Sequence, residues 1–455
     1  MFRLAIVLVT FFCVAACDKN DPEDRDSDTP SGEVRVSPGD RLGWTQQAAD
    51  AVQLAAFQYA LYVDGSRMTL ANATCAAAAS GTFDCSAPIP TLSAGSHTIE
   101  LASFVADGTV TIESSRSAPL RVLFAGPSTF SAPATLVVTS ERVQLNLTPI
   151  TEGLHLPSDL AFAGDGSIFI AERRGAVRVF IDGALAEGRA LDLSEAMTRV
   201  EGGLLAIALD AAFDENGFLY ALYAVDAPHD GVEFTLARFR YVNGVFAERA
   251  VLLDRTRASS TGASGALRIG PDGKLYVALD SDSNGRVAAS FGTYNGKVLR
   301  FNTDATTPDD QPASNPIYSL EHPQPIALDW QPATGTMWVV DGVGVDAGRL
   351  SEVSRDVPES RVTSRTSYAL SAGTGAASAA FYRGGLMPIF KDNLFIAAEM
   401  GRQLIRLRFD PDNASRIVSV ERLLQDQIGA VRVVGAAPDG ALYIATESLL
   451  YRLAP

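Results

Sequence analysis

Little in this sequence does chemistry by local pattern alone. Thr261-Gly262-Ala263-Ser264-Gly265 touches the Gly-x-Ser-x-Gly nucleophile elbow only in part, and it lacks the strand-to-helix setting that exposes such a serine. Asp280-Ser281-Asp282-Ser283-Asn284-Gly285 resembles the start of a calcium loop, but the bidentate Glu and the flanking helices are missing, so it reads as an acidic turn. No His and Cys residues cluster at zinc-ligand spacing. Of the four histidines, His97 reads as a half-exposed strand residue, and His155 and His229 as loop residues between strands. His322, in Glu321-His322-Pro323-Gln324, is the remaining imidazole suited to proton transfer near neutral pH.

Cysteine chemistry is confined to the N-terminal part. Arg3 and the apolar stretch LAIVLVTFF run into Val14-Ala15-Ala16-Cys17, which resembles a bacterial lipoprotein signal and its lipobox. Residues 1–16 are then a signal peptide, and Cys17 becomes the lipidated first residue of a protein held on the membrane by its anchor. Cys75 and Cys85 remain, flanking TCAAAASGTFDCS, and an oxidising compartment would join them as a disulfide. This places the chain in the cell envelope, on a periplasmic or extracellular face. No apolar run is long enough to suggest a transmembrane helix. The net charge of −16 argues against a nucleic-acid partner, which would want a basic stripe.

The elements that must position any site are strands. Residues 17–33 are acidic and Pro-punctuated and read as a flexible tether. Residues 34–125 hold several alternating runs separated by turns, among them a hairpin signal at Val63-Asp64-Gly65, and read as a small β-sandwich; LSAGSHTIEL within them resembles a strand of fibronectin type III or immunoglobulin-like modules. Residues 126–146 link this unit to the rest, and Leu136-Val137-Val138 in the linker is placed to add a strand to the last repeat.

From residue 147 to 455 one pattern recurs six times: an apolar run, a tight turn, and a second apolar run. The turn residues Gly166, Gly217, Gly273, Gly335, Asn393 and Gly440 are spaced by 51, 56, 62, 58 and 47 residues. Asp-Gly or Asn-Gly suits a two-residue hairpin turn, and the alternation behind it suits half-buried strands. Strand repeats at this period predict an all-β fold, a six-bladed β-propeller preceded by the small sandwich.

The blade segments EGGLLAIALDAAFDENGFLYALYA, SGALRIGPDGKLYVALDSD, YNGKVLRF and HPQPIALDWQPATGTMWVV fall in an order and spacing that resemble the glucose/sorbosone dehydrogenase family. The resemblance covers nearly all of residues 147–455. It implies an exported six-bladed propeller whose active members oxidise an aldose at C1 with pyrroloquinoline quinone and calcium. That oxidation needs a base, cations for the quinone's carboxylates and oxygen ligands for calcium.

Laid over this chain, the resemblance implies a mixed site. Gly262 stands at the family's His base, Glu321 at an Arg, and Met400 at a cofactor-contacting Lys, with Arg402 close by. Asp341-Gly342-Val343-Gly344 replaces the stretch that helps hold calcium, leaving Asp341 as the metal candidate. Arg432 keeps the sixth-blade Arg, so Arg432 and Arg402 are the cofactor-binding candidates. His322 is the substitute base, and Gln324 and Glu201, which heads the Gly-Gly-Leu-Leu stretch, are the substrate-binding candidates. The substitutions put the oxidation, and the cofactors with it, in question. A propeller that holds a sugar or glycan without oxidising it is the alternative.

Overall fold

The computed structural model describes residues 34–36, 41–70, 72–79, 81–90, 95–107, 110–124, 133–193, 196, 202–227, 231–282, 285–311, 314–342, 348–353 and 365–455. The signal peptide, Cys17 and the tether, together with Glu201 and His229, lie outside the described residues. The chain divides into two compact units between residues 128 and 129.

The first unit is two β-sheets on a shared core. One sheet orders Val34–Val36, Leu120–Phe124, Gly95–Asp107, Gln58–Val63 and Ser66–Leu70, with Val110–Glu113 beside Gly95–Asp107; the other orders Arg41–Gln47, Thr82–Pro88 and Thr74–Ala79. Period-2 sequence makes this possible: Leu42, Trp44 and Gln46 point inward along Arg41–Gln47 while their neighbours do not. Trp44 meets Tyr59 edge-on, with ring centroids 4.7 Å apart. Cys75 and Cys85 are register partners on adjacent strands and form a disulfide. His97 sits on the Gly95–Asp107 strand with Nδ1 2.6 Å from Oδ2 of Asp64, in the Val63-Asp64-Gly65 turn.

The second unit is a ring of six antiparallel sheets. The inner strands are Pro157–Phe162, Gly203–Leu209, Gly265–Ile269, Pro325–Trp330, Ala376–Phe381 and Val433–Ala436 for blades 1 to 6. Each packs against the next, and the last packs back on the first, so the circle is closed. Blade 6 is completed from the other end of the unit. Gln144–Thr151 pairs with the C-terminal strand Leu450–Ala454, and Thr135–Val138 adds outside it. Leu136-Val137-Val138 thus does extend the last blade, and the ring's first paired strand begins ahead of residue 147.

The second strands Ile168–Glu172, Leu275–Leu279, Met337–Asp341 and Leu394–Ala398 are buried at every residue rather than at alternate ones. Each blade is covered on both faces by its neighbours, so both side-chain rows leave water. At about 1.5–3 kcal/mol for each large aliphatic side chain, such burial is a principal stabilising contribution.

The hairpin turns differ from the two-residue form. Ala163 N–H donates to Ser167 O and Gly166 N–H to Ala163 O, and the same pair of bonds recurs at Gly270 to Lys274 and Ala437 to Ala441. These are three-residue loops in which only Gly166, Gly273 and Gly440 take positive φ, of 89°, 69° and 84°. The preceding Asp has another task. Asp272 accepts from Lys274 N–H, the Tyr276 hydroxyl and Arg300 Nη2, and Asp439 accepts from Ala441 N–H, the Tyr443 hydroxyl and Arg452 Nε. The Asp-Gly-x-Leu-Tyr spelling is therefore a turn, a strand anchor and a cross-strand ion pair in one. In blade 5 the positive φ falls on Asp392 (62°) rather than on Asn393, whose side chain is spent on Lys391 O and Arg406 Nε.

Candidate functional site

The inner strands of all six blades begin at the end of the ring where the second strands finish. This end is the mouth; His322, Gln324, Arg402 and Arg432 lie on its loops, and Asp341 ends the blade 4 second strand there. An acidic residue ends or closely follows each second strand: Glu172, Asp226, Asp280, Asp341, Glu399 and Glu447 in blades 1 to 6. In three blades its carboxylate ties down the loop that leads into the inner strand of the same blade. Glu172 accepts from His155 N–H at 2.9 Å, Asp280 from Ser259 and Ser264 N–H at 3.0 and 2.9 Å, and Asp341 from Gln324 N–H at 3.1 Å. A buried carboxylate left without such donors would cost several kcal/mol.

Blade 3 carries the loop of Gly262. Gly262 has φ 140°, a conformation that favours glycine. Asp280 lies below this loop, 1 % exposed, and Asp282 N–H donates to it as well. Burial pushes the Asp280 carboxyl up to about 6, against the lowering effect of the Ser264, Asp282 and Ser259 amides. Its oxygens face main-chain donors, so it is a tie and not a poised base. Arg173 crosses from blade 1 to donate to Ala263 O at 2.8 Å. Ser264 Oγ, in the same loop, is buried with no partner among the described residues.

His322 is fully buried. Nε2 is 2.8 Å from Ser319 Oγ, its main-chain N–H donates to Gly296 O, and Nδ1 is 3.5 Å from Asp341 Oδ2 without a hydrogen bond. No ring atom of His322 is presented to the mouth. Asp341 is also fully buried and shares Oδ2 with Arg349 Nη2 at 3.3 Å, while Arg349 reaches on to Glu321 O. Gln324 is half-buried and is held through its backbone, N–H to Asp341 and O from Gly342 N–H. The structure thus joins His322, Gln324 and Asp341 in one cluster, but as the packing of a loop. Lys297, beside them, donates Nζ to Val287 O and Asn295 O, and burial pushes its amine down to about 8.

Arg432 lies apart from that cluster, where blades 5, 6 and 1 meet. Its Nε donates to Pro157 O at 3.1 Å and its Nη1 pairs with Glu399. Arg402 sits three residues past Glu399, and its Nε is 3.0 Å from Asp426 Oδ1, with both side chains more than half exposed. Met400 between them is exposed and covers Gly375. Sequence reasoning singled out Arg432 and missed Glu399 and Arg173. The recurrence of an acid at the end of each second strand was the available signal for Glu399.

Calcium and the quinone, which the resemblance implies, need converging oxygens and free cations. Among the described residues no three His, Cys, Asp or Glu side chains converge on a metal-sized point. Arg173, Arg349, Arg402, Arg432 and Lys297 already hold protein oxygens. The described residues thus offer no cluster of carboxylate or imidazole side chains for calcium, and these five cations are engaged within the protein.

A family model described as "Glucose / Sorbosone dehydrogenase" matches residues 154–348 and 351–452. The uncharacterised protein slr1608 of Synechocystis sp. (strain ATCC 27184 / PCC 6803 / Kazusa) is 27 % identical over 381 residues, covering 71 % of this chain and 89 % of that protein. Among solved structures, the soluble aldose sugar dehydrogenase from Escherichia coli in its apo form superposes with a TM-score of 0.60 at 18 % identity, covering 68 % of this chain and 99 % of that one. The PQQ-bound form of aldose sugar dehydrogenase from Streptomyces coelicolor gives 0.57 at 17 % identity, covering 72 % and 99 %. At these identities the two structures speak for the propeller fold.

Proposed function

The chain belongs to the glucose/sorbosone dehydrogenase family, and from that premise we propose that it is an exported, lipid-anchored envelope protein whose mouth holds a sugar or glycan without oxidising it. One observation carries this reading: Gly262 brings no side chain to the base position, and the two groups nearest to replacing it, His322 and Asp280, are both enclosed. His322 is enclosed, and the Asp280 oxygens face amides. Hydride removal from C1 of an aldose needs a base on the departing hydroxyl proton. Without one, the retained ring is a holder. The anchor at Cys17 and the sandwich unit, read as a spacer, would set that holder off the membrane.

A second reading is oxidation of an aldose at C1 with pyrroloquinoline quinone and calcium. Family membership favours it, as does Arg432, kept at the sixth-blade position. The experiment that separates the two supplies the full chain with calcium and the quinone. It then measures sugar binding by calorimetry and dye reduction across a panel of aldoses and short glycans. Binding without turnover supports the first reading; sustained dye reduction overturns it.

A further inference from the structure

Glu399 departs from the habit of its counterparts. Glu172, Asp280 and Asp341 turn back to amides of their own blade. Glu399 instead turns to the next blade and pairs with Arg432. The Arg432 side chain is only 15 % exposed, whereas that of Glu399 is 37 % exposed, so the carboxylate approaches from the solvent side of an otherwise enclosed guanidinium. Nε is spent on Pro157 O and Nη1 on Glu399; Nη2 has no acceptor among the described residues. A fixed, partly buried guanidinium with one edge on a carboxylate and another amino group unspent is the arrangement in which arginine takes carboxylates.

We propose that Glu399 is a built-in occupant of a carboxylate seat on Arg432, and that it bars anionic ligands from this sector of the mouth. The proposal rests on the reading that the mouth receives ligands. A second carboxylate brought to Arg432 would lie within a few ångströms of Glu399, and repulsion between like charges in a partly desolvated place disfavours it strongly. Neutralising Glu399 leaves the cation with its seat open. Arg402 pairs with Asp426 at the surface and takes no part in this seat. The seat selects for charge and not for sugar identity: the native mouth admits neutral sugars and rejects carboxylates.

The test titrates the full chain, native and Glu399→Gln, with malonate, glucuronate and glucose by calorimetry at low salt. Glu399→Gln should bind malonate and glucuronate at least about tenfold more tightly than the native chain. Glu399→Asp, which keeps the charge, should show no gain, and Glu399→Gln with Arg432→Gln should lose it. Equal malonate affinity in the native and Glu399→Gln chains overturns the proposal. So does a gain that survives loss of Arg432. If Glu399→Gln fails to fold, Glu399→Ser serves in its place under the same criteria. Malonate is not a sugar, so its result stands apart from the sugar-holding reading. Failure of the native chain to bind glucose sinks that reading alone.

Discussion

Glu141 and Arg406 hold the ring shut. Glu141 lies on the turn between the two strands, Thr135–Val138 and Gln144–Thr151, that complete blade 6, and its Oε2 accepts from Arg406 Nη1 of blade 5 at 2.9 Å. Arg406 is 2 % exposed and also pairs with Glu421, while Arg408 takes the other oxygen of Glu141 at 2.8 Å. A buried guanidinium is thereby neutralised by carboxylates on both sides of the blade boundary.

Loss of the Glu141 charge should weaken closure. Burial alone would raise the Glu141 carboxyl; Arg406, with help from the Glu141 main chain and the Ser140 hydroxyl, more than reverses this and brings it down to about 2. The folded value lies below the unfolded one, so the contribution is complete above the unfolded value. It is lost as pH falls through the ordinary carboxylate range toward 2. Glu141→Gln should lower the stability of the ring by roughly 1–3 kcal/mol at neutral pH. It should also flatten acid unfolding in that window. Calorimetry from pH 7 down to 2.5 checks both.

Lys297 should give the opposite end of the pH profile its own signature. Burial pushes its folded value down to about 8. The unfolded chain therefore binds more protons between that value and the ordinary lysine range, and stability contributed by this group rises with pH across the interval. In Lys297→Met the alkaline rise should vanish. Denaturant titrations at pH 7, 8.5 and 10 measure it, and an unchanged slope would dismiss the assignment.

Restoring an imidazole at the empty base position should not restore oxidation. At φ 140° a side chain is strained, so Gly262→His should cost about 1–3 kcal/mol. The variant should also show no dye reduction with aldoses when given calcium and the quinone, because Arg432 remains paired with Glu399 and Arg402 with Asp426. Melting temperature and the dye assay report the two effects separately, and turnover in the variant would show that the base was the sole lack.

The Cys75–Cys85 disulfide should matter only to the first unit. Serine at both positions should destabilise that unit by about 2–3 kcal/mol in the chain-entropy account. Calorimetry that resolves the two units should find the ring's transition unmoved.

The ring was legible in the sequence because its instructions are local. A Gly at the positive-φ position, an Asp before it and a Tyr four residues after the Asp write out the turns of blades 3 and 6, at Asp272 and Asp439. The count of residues in that turn was not legible, because the Asp holds ordinary φ and only its hydrogen bonds reveal the third loop residue. The candidate site was less legible, because its contacts are remote. Arg432 meets Pro157 275 residues away and Glu399 33 away. His322 reads as a free imidazole in the chain, and its enclosure by Ser319, Gly296 and Asp341 follows only from how blade 3 abuts blade 4.

Sewing Gln144–Thr151 against Leu450–Ala454 has a consequence for how the molecule is made. The stretch that must be clasped last is threaded out early, and it waits while the intervening five sheets are delivered. Until the final residues arrive it offers an open row of amides and carbonyls to any passing strand. A chain cut short near its end therefore forfeits the whole circle and not merely its last piece.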